Sequence, residues 1–188
     1  MKKYVFYFFL VFCTGKQFAQ SNVCFGLPVN YPADPGHNPQ SIICDDFNND
    51  GKLDLVTADM SVYRVSFFGG IGTGVFAPQI NYNSGSYPYH IISSDFNSDG
   101  KKDVATARII SGGISVHLGT GTGSFSAASN YTTINSMPLG ITSGDYNGDG
   151  KPDLAVASSG TANVSVFLNA GSGTFSAATN YSLANPAV

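Results

Sequence analysis

The hydrophobic positions of the chain fall in short runs that are separated by polar and glycine-rich turns. Runs such as 55–58 and 164–168 alternate apolar with small or polar residues, or are continuously apolar and rich in β-branched residues. They do not recur every three or four residues, as the buried face of a helix would. The pattern therefore predicts β-strands, and the clearest of these are residues 41–44, 53–58, 62–68, 90–92, 103–107 and 114–118.

Two sequence landmarks recur with a period of about fifty residues. The segments DFNNDGKLDL, DFNSDGKKDV and DYNGDGKPDL begin 49 and 50 residues apart, at Asp46, Asp95 and Asp145. A Phe followed five residues later by Asn-Tyr keeps the same spacing, and its four copies begin at Phe25, Phe76, Phe125 and Phe175. The landmarks divide the chain into repeats at approximately 25–75, 76–124 and 125–174, with a partial repeat at 175–188.

Each repeat contains four predicted strands. One strand enters the Asp-rich segment, one leaves it, one precedes a cluster of glycines, and one passes through the Phe and the Asn-Tyr pair. Four strands in about fifty residues are typical of a β-propeller blade. We therefore predict an all-β fold, a partial propeller with three to four units of four antiparallel strands. A stacked solenoid of sheets is the alternative.

The composition supports this assignment and excludes one class of partner. Only 11% of the residues are charged, all 12 acidic residues are Asp, and the chain has 22 Gly and no Trp. The absence of Glu, a good helix former, argues against a helical protein. A net charge of −3 and a pI of about 5.3 leave no basic surface for phosphates, so we expect no nucleic-acid partner.

The first twenty residues have the pattern of a secretory signal peptide. Two lysines precede an apolar run from Tyr4 to Cys13, and a cleavage point follows at Ala19 or Gln20. The run is about ten residues long, whereas a bilayer span needs roughly twenty, so we expect no membrane span. We predict a signal peptide at 1–20 and a secreted or cell-surface protein, with bacterial export. Lipidation of Cys13 is the alternative.

Removal of the signal peptide leaves six Lys and Arg residues against twelve Asp. Two cysteines also remain, Cys24 and Cys44. They could form one disulfide in an oxidising compartment, or they could remain two small thiols.

The Asp-rich segments place oxygen-bearing side chains at positions 1, 3, 5 and 9 and a Gly at position 6. Oxygen ligands suit Ca²⁺, which takes about six to eight of them, and the Gly allows the sharp turn around the ion. The backbone carbonyl at position 7 would add a ligand. The predicted ligands are Asp46, Asn48, Asp50, Lys52 and Asp54; Asp95, Asn97, Asp99, Lys101 and Asp103; and Asp145, Asn147, Asp149, Lys151 and Asp153.

These segments therefore predict about three calcium sites, and zinc, copper or an EF-hand would suit them less well. None contains His or Cys, which argues against zinc or copper. An EF-hand would carry Glu at position 12, where this chain has Thr57, Thr106 and Val156. An ordinary Asn/Asp/Gly turn is the remaining alternative, but it does not require acids at positions 5 and 9 in every copy.

The Asp-Phe-Asn-x-Asp-Gly-Lys-x-Asp segment, followed by a strand and by a glycine-rich turn that ends in Phe, resembles the FG-GAP/VCBS repeat family. Blades of this family are similar to those of integrin α-subunit propellers. The resemblance covers residues 25–188, although the family's Gly-Ala-Pro element survives only loosely, at 76–78. It implies a calcium-stabilised extracellular β-propeller, usually with seven blades, in which the loop residues named above are the metal ligands.

No group of residues in the sequence has the pattern of a catalytic site. The three histidines, His37, His90 and His117, fall at unrelated positions of the repeat, and no Glu is available as an acid or base. We therefore predict that the chain is not an enzyme. The favoured function is a secreted calcium-binding module that binds a protein or glycan in adhesion. The alternative is the propeller portion of a larger secreted carbohydrate-active enzyme, such as a polysaccharide lyase.

The number of repeats also bears on whether the propeller can close into a ring. A Pro precedes each Asp-rich segment, at Pro39, Pro88 and Pro138, and Pro186 begins the same pattern again. Propellers close with about four to eight blades, so three units would leave sheet edges uncovered. We expect the chain to be part of a longer protein with further repeats, or to self-associate.

Overall fold

Three four-stranded antiparallel sheets follow one another along the chain. The computed structural model describes residues 36–134 and 137–183. The first sheet contains β1 (Pro39–Asp45), β2 (Asp54–Asp59), β3 (Arg64–Phe68) and β4 (Ile80–Asn83). The second contains β5 (Pro88–Ser94), β6 (Asp103–Arg108), β7 (Ile114–His117) and β8 (Ser129–Tyr131).

The third sheet has the same plan with one addition. It contains β9 (Pro138–Gly144), β10 (Asp153–Ser158), β11 (Asn163–Phe167) and β14 (Thr179–Ser182), and a separate two-stranded hairpin is formed by β12 (Asn169–Gly171) and β13 (Thr174–Phe175). In every sheet the strands lie side by side in chain order. The predicted all-β architecture of four-stranded antiparallel blades is confirmed, as a partial propeller that the described residues do not close.

The Phe landmark is not part of the fourth strand, contrary to the sequence prediction. Phe76 and Phe125 form only isolated bridges with Gly70 and Gly119, and the fourth strand begins later, near the Asn-Tyr pair. In the second sheet the Oγ of Ser126 accepts the N–H of Leu118. A side-chain oxygen thus takes the place of the main-chain carbonyl that would continue the pairing of the two strands. Each sheet therefore takes its fourth strand from the next repeat of the sequence. The repeat that begins at Phe76 supplies β4, and the repeat that begins at Phe125 supplies β8.

The Asn of the Asn-Tyr pair joins the fourth strand of each sheet to the third. A Ser in the third strand donates its hydroxyl to the Asn Oδ1 in the fourth strand, at 2.6–2.7 Å. The pairs are Ser66 with Asn81, Ser115 with Asn130, and Ser165 with Asn180. These hydroxyl-to-amide bonds explain why an Asn recurs at this point of the repeat.

The hydrophobic core lies between the sheets. Phe125 comes from the glycine turn of the second sheet, yet its ring packs in the first sheet, 5.7 Å from Phe47, 6.3 Å from Phe67 and 5.3 Å from Tyr82 between ring centroids. Edge-to-face contacts of this kind add to the area that the rings bury. We call Phe125 and its counterpart Phe175 the aromatic wedges.

The second wedge repeats this arrangement one sheet later. Phe175 lies 5.6 Å from both Phe96 and Tyr131 of the second sheet. Tyr146 of the third sheet corresponds to Phe96, and it is 47% exposed, because the described residues supply no wedge for that sheet. That further repeats or a second copy complete the ring stays a prediction.

The inner strands of successive sheets are joined by side chains. β1 packs beside β5, and β5 packs beside β9. The N–H of Ile91 donates to the Oγ of Ser41 at 3.4 Å, and the N–H of Ile141 donates to the Nδ1 of His90 at 3.1 Å. These two hydrogen bonds link β1 to β5 and β5 to β9.

Several predictions from the N-terminal sequence fall on residues outside the described ranges. These are the signal peptide at 1–20, lipidation at Cys13, and one half of the disulfide, Cys24. Its proposed partner, Cys44, is exposed on β1 and forms no disulfide with any residue that the structure describes. Within the described residues, no helix has the length and apolar character needed to cross a bilayer.

Candidate metal centres

The three Asp-rich loops occupy the same connection in each sheet. They join β1 to β2, β5 to β6, and β9 to β10, so all three connect the first and second strands of their sheets, at the same end of those strands. The entering and leaving strands are paired up to the loop, as Asp45 with Asp54 in the first sheet and Ser94 with Asp103 in the second. Strand pairing therefore holds the two ends of each loop together.

In the second loop, the side chains at positions 1 and 3 accept hydrogen bonds from the loop's own main chain. Asp95 accepts the N–H of Asp99 on Oδ1 at 3.1 Å and the N–H of Gly100 on Oδ2 at 2.8 Å. Asn97 accepts the N–H of Asp99 on its Oδ1 at 3.1 Å. The same bonds recur in the first and third loops. Short Asp and Asn side chains suit such turns because they reach N–H groups two to five residues ahead.

Two residues in each loop have left-handed backbone conformations. The Gly at position 6 has φ of +79° to +82° in the three loops, as the sequence indicates. Position 4 is also left-handed, at Asn49, Ser98 and Gly148. We did not predict this second turn from the sequence, although the Gly and Asn at position 4 of two copies are the residues that tolerate it best.

Position 5 forms an ion pair with the lysine at position 7. In the first loop Asp50 accepts the N–H of Lys52 on Oδ1 at 2.9 Å, and its Oδ2 lies 3.1 Å from Lys52 Nζ. The Lys52 N–H and then its ammonium group lower the pKa of Asp50, and Lys151 lowers the pKa of Asp149 in the same way. These carboxylates are therefore ionised at neutral pH.

Position 9 is fully buried in all three loops, and its carboxylate joins the loop to the glycine turn. Asp103 accepts the N–H of Phe96 on Oδ2 at 2.8 Å and the N–H of Gly119 on Oδ1 at 2.7 Å. Asp54 and Asp153 do the same in the first and third sheets. We call this arrangement the carboxylate bridge. Sequence reasoning assigned these residues only to metal, and did not foresee it.

The second loop concentrates negative charge around a buried group. Burial raises the pKa of Asp103 to about 6, against the lowering effect of the Gly119 and Phe96 N–H groups, and the charges of Asp99 and Asp95 raise it further. Among the described residues Asp103 forms no ion pair, while Lys101 of the same loop pairs with Asp99. A divalent cation would offset this mutual repulsion.

The donor atoms of each loop suit calcium, but the loops do not hold them as a finished site. Each supplies three carboxylates and one amide oxygen, which are the hard donors that Ca²⁺ takes. Across residues 36–134 and 137–183, however, no three carboxylate, imidazole or thiol groups are gathered closely enough to hold a metal ion. Each carboxylate oxygen has two lone pairs, so one that accepts an N–H can still ligate a metal.

The three histidines lie in three separate environments. His37 Nδ1 is 3.2 Å from the carboxylate of Asp59, and His90 links two inner strands as described above. His117 is buried in β7, where its Nδ1 lies 3.0 Å from the Ser126 carbonyl, and burial lowers its pKa. The repeat fold is consistent with a module that has no catalytic role.

Comparisons with known proteins agree with the geometry. The model of the FG-GAP-like repeat matches residues 46–106, 95–156 and 145–187. Each match begins at position 1 of an Asp-rich loop, and the first two run through the next loop. No curated protein matches the chain in sequence.

Two solved structures show the extent of the structural similarity. One is an Agrocybe aegerita lectin described by its specific recognition of non-reducing terminal N-acetylglucosamine, with 21% identity and a TM-score of 0.51 over 77% of this chain and 38% of the lectin. The other is the Photorhabdus luminescens Tc holotoxin pore, with 17% identity and a TM-score of 0.45 over 81% of this chain and 7% of that one. The chain thus spans well under half of the lectin's length.

The lectin supports the fold alone at this level of identity. The family matches run from residue 46 to residue 187 and coincide with the three loops and sheets. The chain therefore belongs to the FG-GAP-like repeat family.

Proposed function

We propose that the chain is a secreted calcium-binding repeat module that binds a glycan or protein ligand, with Ca²⁺ in a structural role. The observation that carries the calcium proposal is the recurrence of three aspartates at positions 1, 5 and 9 of each of three loops, the last of them fully buried. Export rests on the signal peptide predicted at 1–20. The sugar recognition described for the lectin is compatible with a glycan as the ligand.

The loop side chains have distinct roles in this proposal. Positions 1, 3, 5 and 9 would hold the ion with the carbonyl of position 7. Calcium would supply the positive charge that lets the carboxylates approach one another. The ammonium group of Lys101 competes for the same Asp99 oxygen, since it lies 3.1 Å from Oδ2. Calcium binding is therefore expected to displace the lysine from position 5.

Removal of calcium is expected to lower the Tm substantially. At free calcium tenfold above the dissociation constant, each site contributes about 1.4 kcal/mol, or about 4 kcal/mol for three sites. For a chain of this size, that corresponds to a fall of roughly 8 to 16 °C. Calorimetry at neutral pH, with calcium and with excess chelator, measures the difference.

A triple variant serves as the control for this measurement. Asp50→Asn, Asp99→Asn and Asp149→Asn together remove one exposed carboxylate from each loop without touching the buried position 9. This variant should melt at the chelator temperature whether or not calcium is added. A wild-type Tm that is unchanged by chelator would contradict the structural role of calcium.

Ligand binding is tested separately, on a glycan array probed with the calcium-loaded chain. Concentration-dependent binding to a defined group of glycans is the expected result. An array without specific signal would remove glycans from the proposal and leave proteins as the ligand class.

A further inference from the structure

A polar groove lies between the outer strands of the first two sheets. It has a volume of about 500 Å³, and its lining includes Asn83 and Gly85 at the end of β4, Asn130 of β8, and Ala127, with the rings of Tyr82 and Phe125 behind them. We call it the β4–β8 groove. None of its lining residues carries a charge.

Two side-chain amides offer free donors in this groove. Asn83 accepts the N–H of Gly85 on its Oδ1 at 3.1 Å, and Asn130 accepts the hydroxyl of Ser115 on its Oδ1 at 2.7 Å. Both acceptor oxygens are thus engaged, while the two Nδ2 groups have no partner among the described residues. The groove therefore presents N–H donors to whatever enters it.

A buried arginine stands behind the wall of the groove. Arg108, at the end of β6, is 6% exposed, and its Nη2 donates to the Tyr131 carbonyl at 3.2 Å. A Cβ placed on Gly85 would lie 3.4 Å from Arg108 Nη1 and 3.3 Å from Asn130 Oδ1. The absence of a side chain at Gly85 therefore brings the groove close to the guanidinium group.

The charge of Arg108 is not balanced by a carboxylate within the described ranges. Four lysines form ion pairs with aspartates in the described part of the chain, whereas Arg108 forms none. Its Nε is enclosed and has no hydrogen-bond partner among residues 36–134 and 137–183, and burial lowers the pKa of the guanidinium group. A buried charge without a partner is costly, so an anion beside Arg108 would be favoured.

The equivalent positions in the other sheets do not share this property. Asp59 occupies the site in the first sheet and Ser158 in the third. An anion therefore has a preferred location, next to the second sheet, where a guanidinium fork can bind two carboxylate oxygens.

We propose that the β4–β8 groove binds a sugar that carries a carboxylate. The carboxylate pairs with Arg108 beside Gly85, and the ring hydroxyls accept from the Nδ2 groups of Asn83 and Asn130. We favour a sugar over a peptide because the lining presents side-chain amide donors and aromatic rings, which suit a ring of hydroxyl groups. This inference rests on the proposed binding function and names its ligand chemistry.

A matched pair of probes tests the inference. Methyl β-D-glucuronide and methyl β-D-glucoside differ only in a carboxylate against a hydroxymethyl group. We expect the calcium-loaded chain, titrated by NMR at fixed free calcium, to bind the glucuronide roughly tenfold or more tightly, because hydrogen bonds to an ionised group are about twice as strong as neutral ones. The amide signals of Asn83 and Asn130 should shift.

Two variants at equivalent exposed positions locate the site. Ala127→Glu places a negative charge in the groove and should abolish glucuronide binding. Ala177→Glu makes the same change beside the third sheet, where Ser158 replaces the arginine, and should bind as the wild type does. Arg108→Gln should remove the preference for the acidic sugar, with folding checked by circular dichroism.

Each outcome decides the matter. Equal affinity for the two glycosides, an unaffected Ala127→Glu variant, or no shift in the groove with either sugar would overturn the inference. Equally tight binding of an oligoglutamate at the same residues would show that the groove recognises an acidic peptide, and would also overturn it. The glycan array and the melting experiments with calcium and chelator test the proposed function independently of this inference.

Discussion

Replacement of Phe96 by alanine is expected to destabilise the folded chain by about 3–5 kcal/mol, as is usual for a buried Phe. The Phe96 side chain is 1% exposed and lies in the core cluster between the second and third sheets, 5.6 Å from the Phe175 wedge. Truncation would leave a cavity where two sheets meet. Urea unfolding followed by circular dichroism measures the change in the free energy of unfolding.

Tyr146→Ala is the matched control, because Tyr146 occupies the same loop position in the third sheet. Its side chain is 47% exposed and has no wedge against it among the described residues. The cost should stay below about 1 kcal/mol. If the two substitutions proved equally costly, the wedge would not be what stabilises the contact between sheets.

Asp103→Ala is expected to cost about 2–4 kcal/mol even when all calcium has been chelated. The substitution removes both acceptors of the carboxylate bridge and leaves the N–H groups of Phe96 and Gly119 without partners in the protein interior. Each buried unsatisfied donor costs about 1–3 kcal/mol, while the relief of burying one charge offsets part of the loss. The experiment is a urea titration in excess chelator.

The control for the bridge is Asp99→Ala in the same loop. Asp99 is partly exposed, and it is bonded only within its own turn and to Lys101. Without calcium its loss should cost less than about 1 kcal/mol. Equal costs for Asp99→Ala and Asp103→Ala in chelator would show that position 9 acts only as a metal ligand.

Much of the fold could be predicted from the sequence because its signals are local. Short strand patterns and turn residues such as Gly100 act over a few positions, and they recur three times at nearly constant spacing. Repetition makes each signal stronger than it would be alone. The assignment of four strands per repeat therefore agrees with the structure, apart from the Phe that precedes each fourth strand.

The candidate site was only partly predictable. The turn bonds of Asp95 and Asn97 span two to five residues, so the motif itself indicates them. The second acceptor bond of Asp103 reaches Gly119, sixteen residues away on another turn. That bond depends on how the first and third connections of the sheet come together, which no short motif records.

By itself, the sequence determined the period, the strands, and the chemistry of the three acidic loops, because alternation and turn formation depend on neighbouring residues. Only the tertiary structure decided that Phe125 packs in the preceding sheet, that position 9 bridges two loops, and that Arg108 lies behind Gly85 with no carboxylate partner in the described part of the chain. These features arise from contacts between residues far apart in the chain, and such contacts exist only once the sheets have packed against each other.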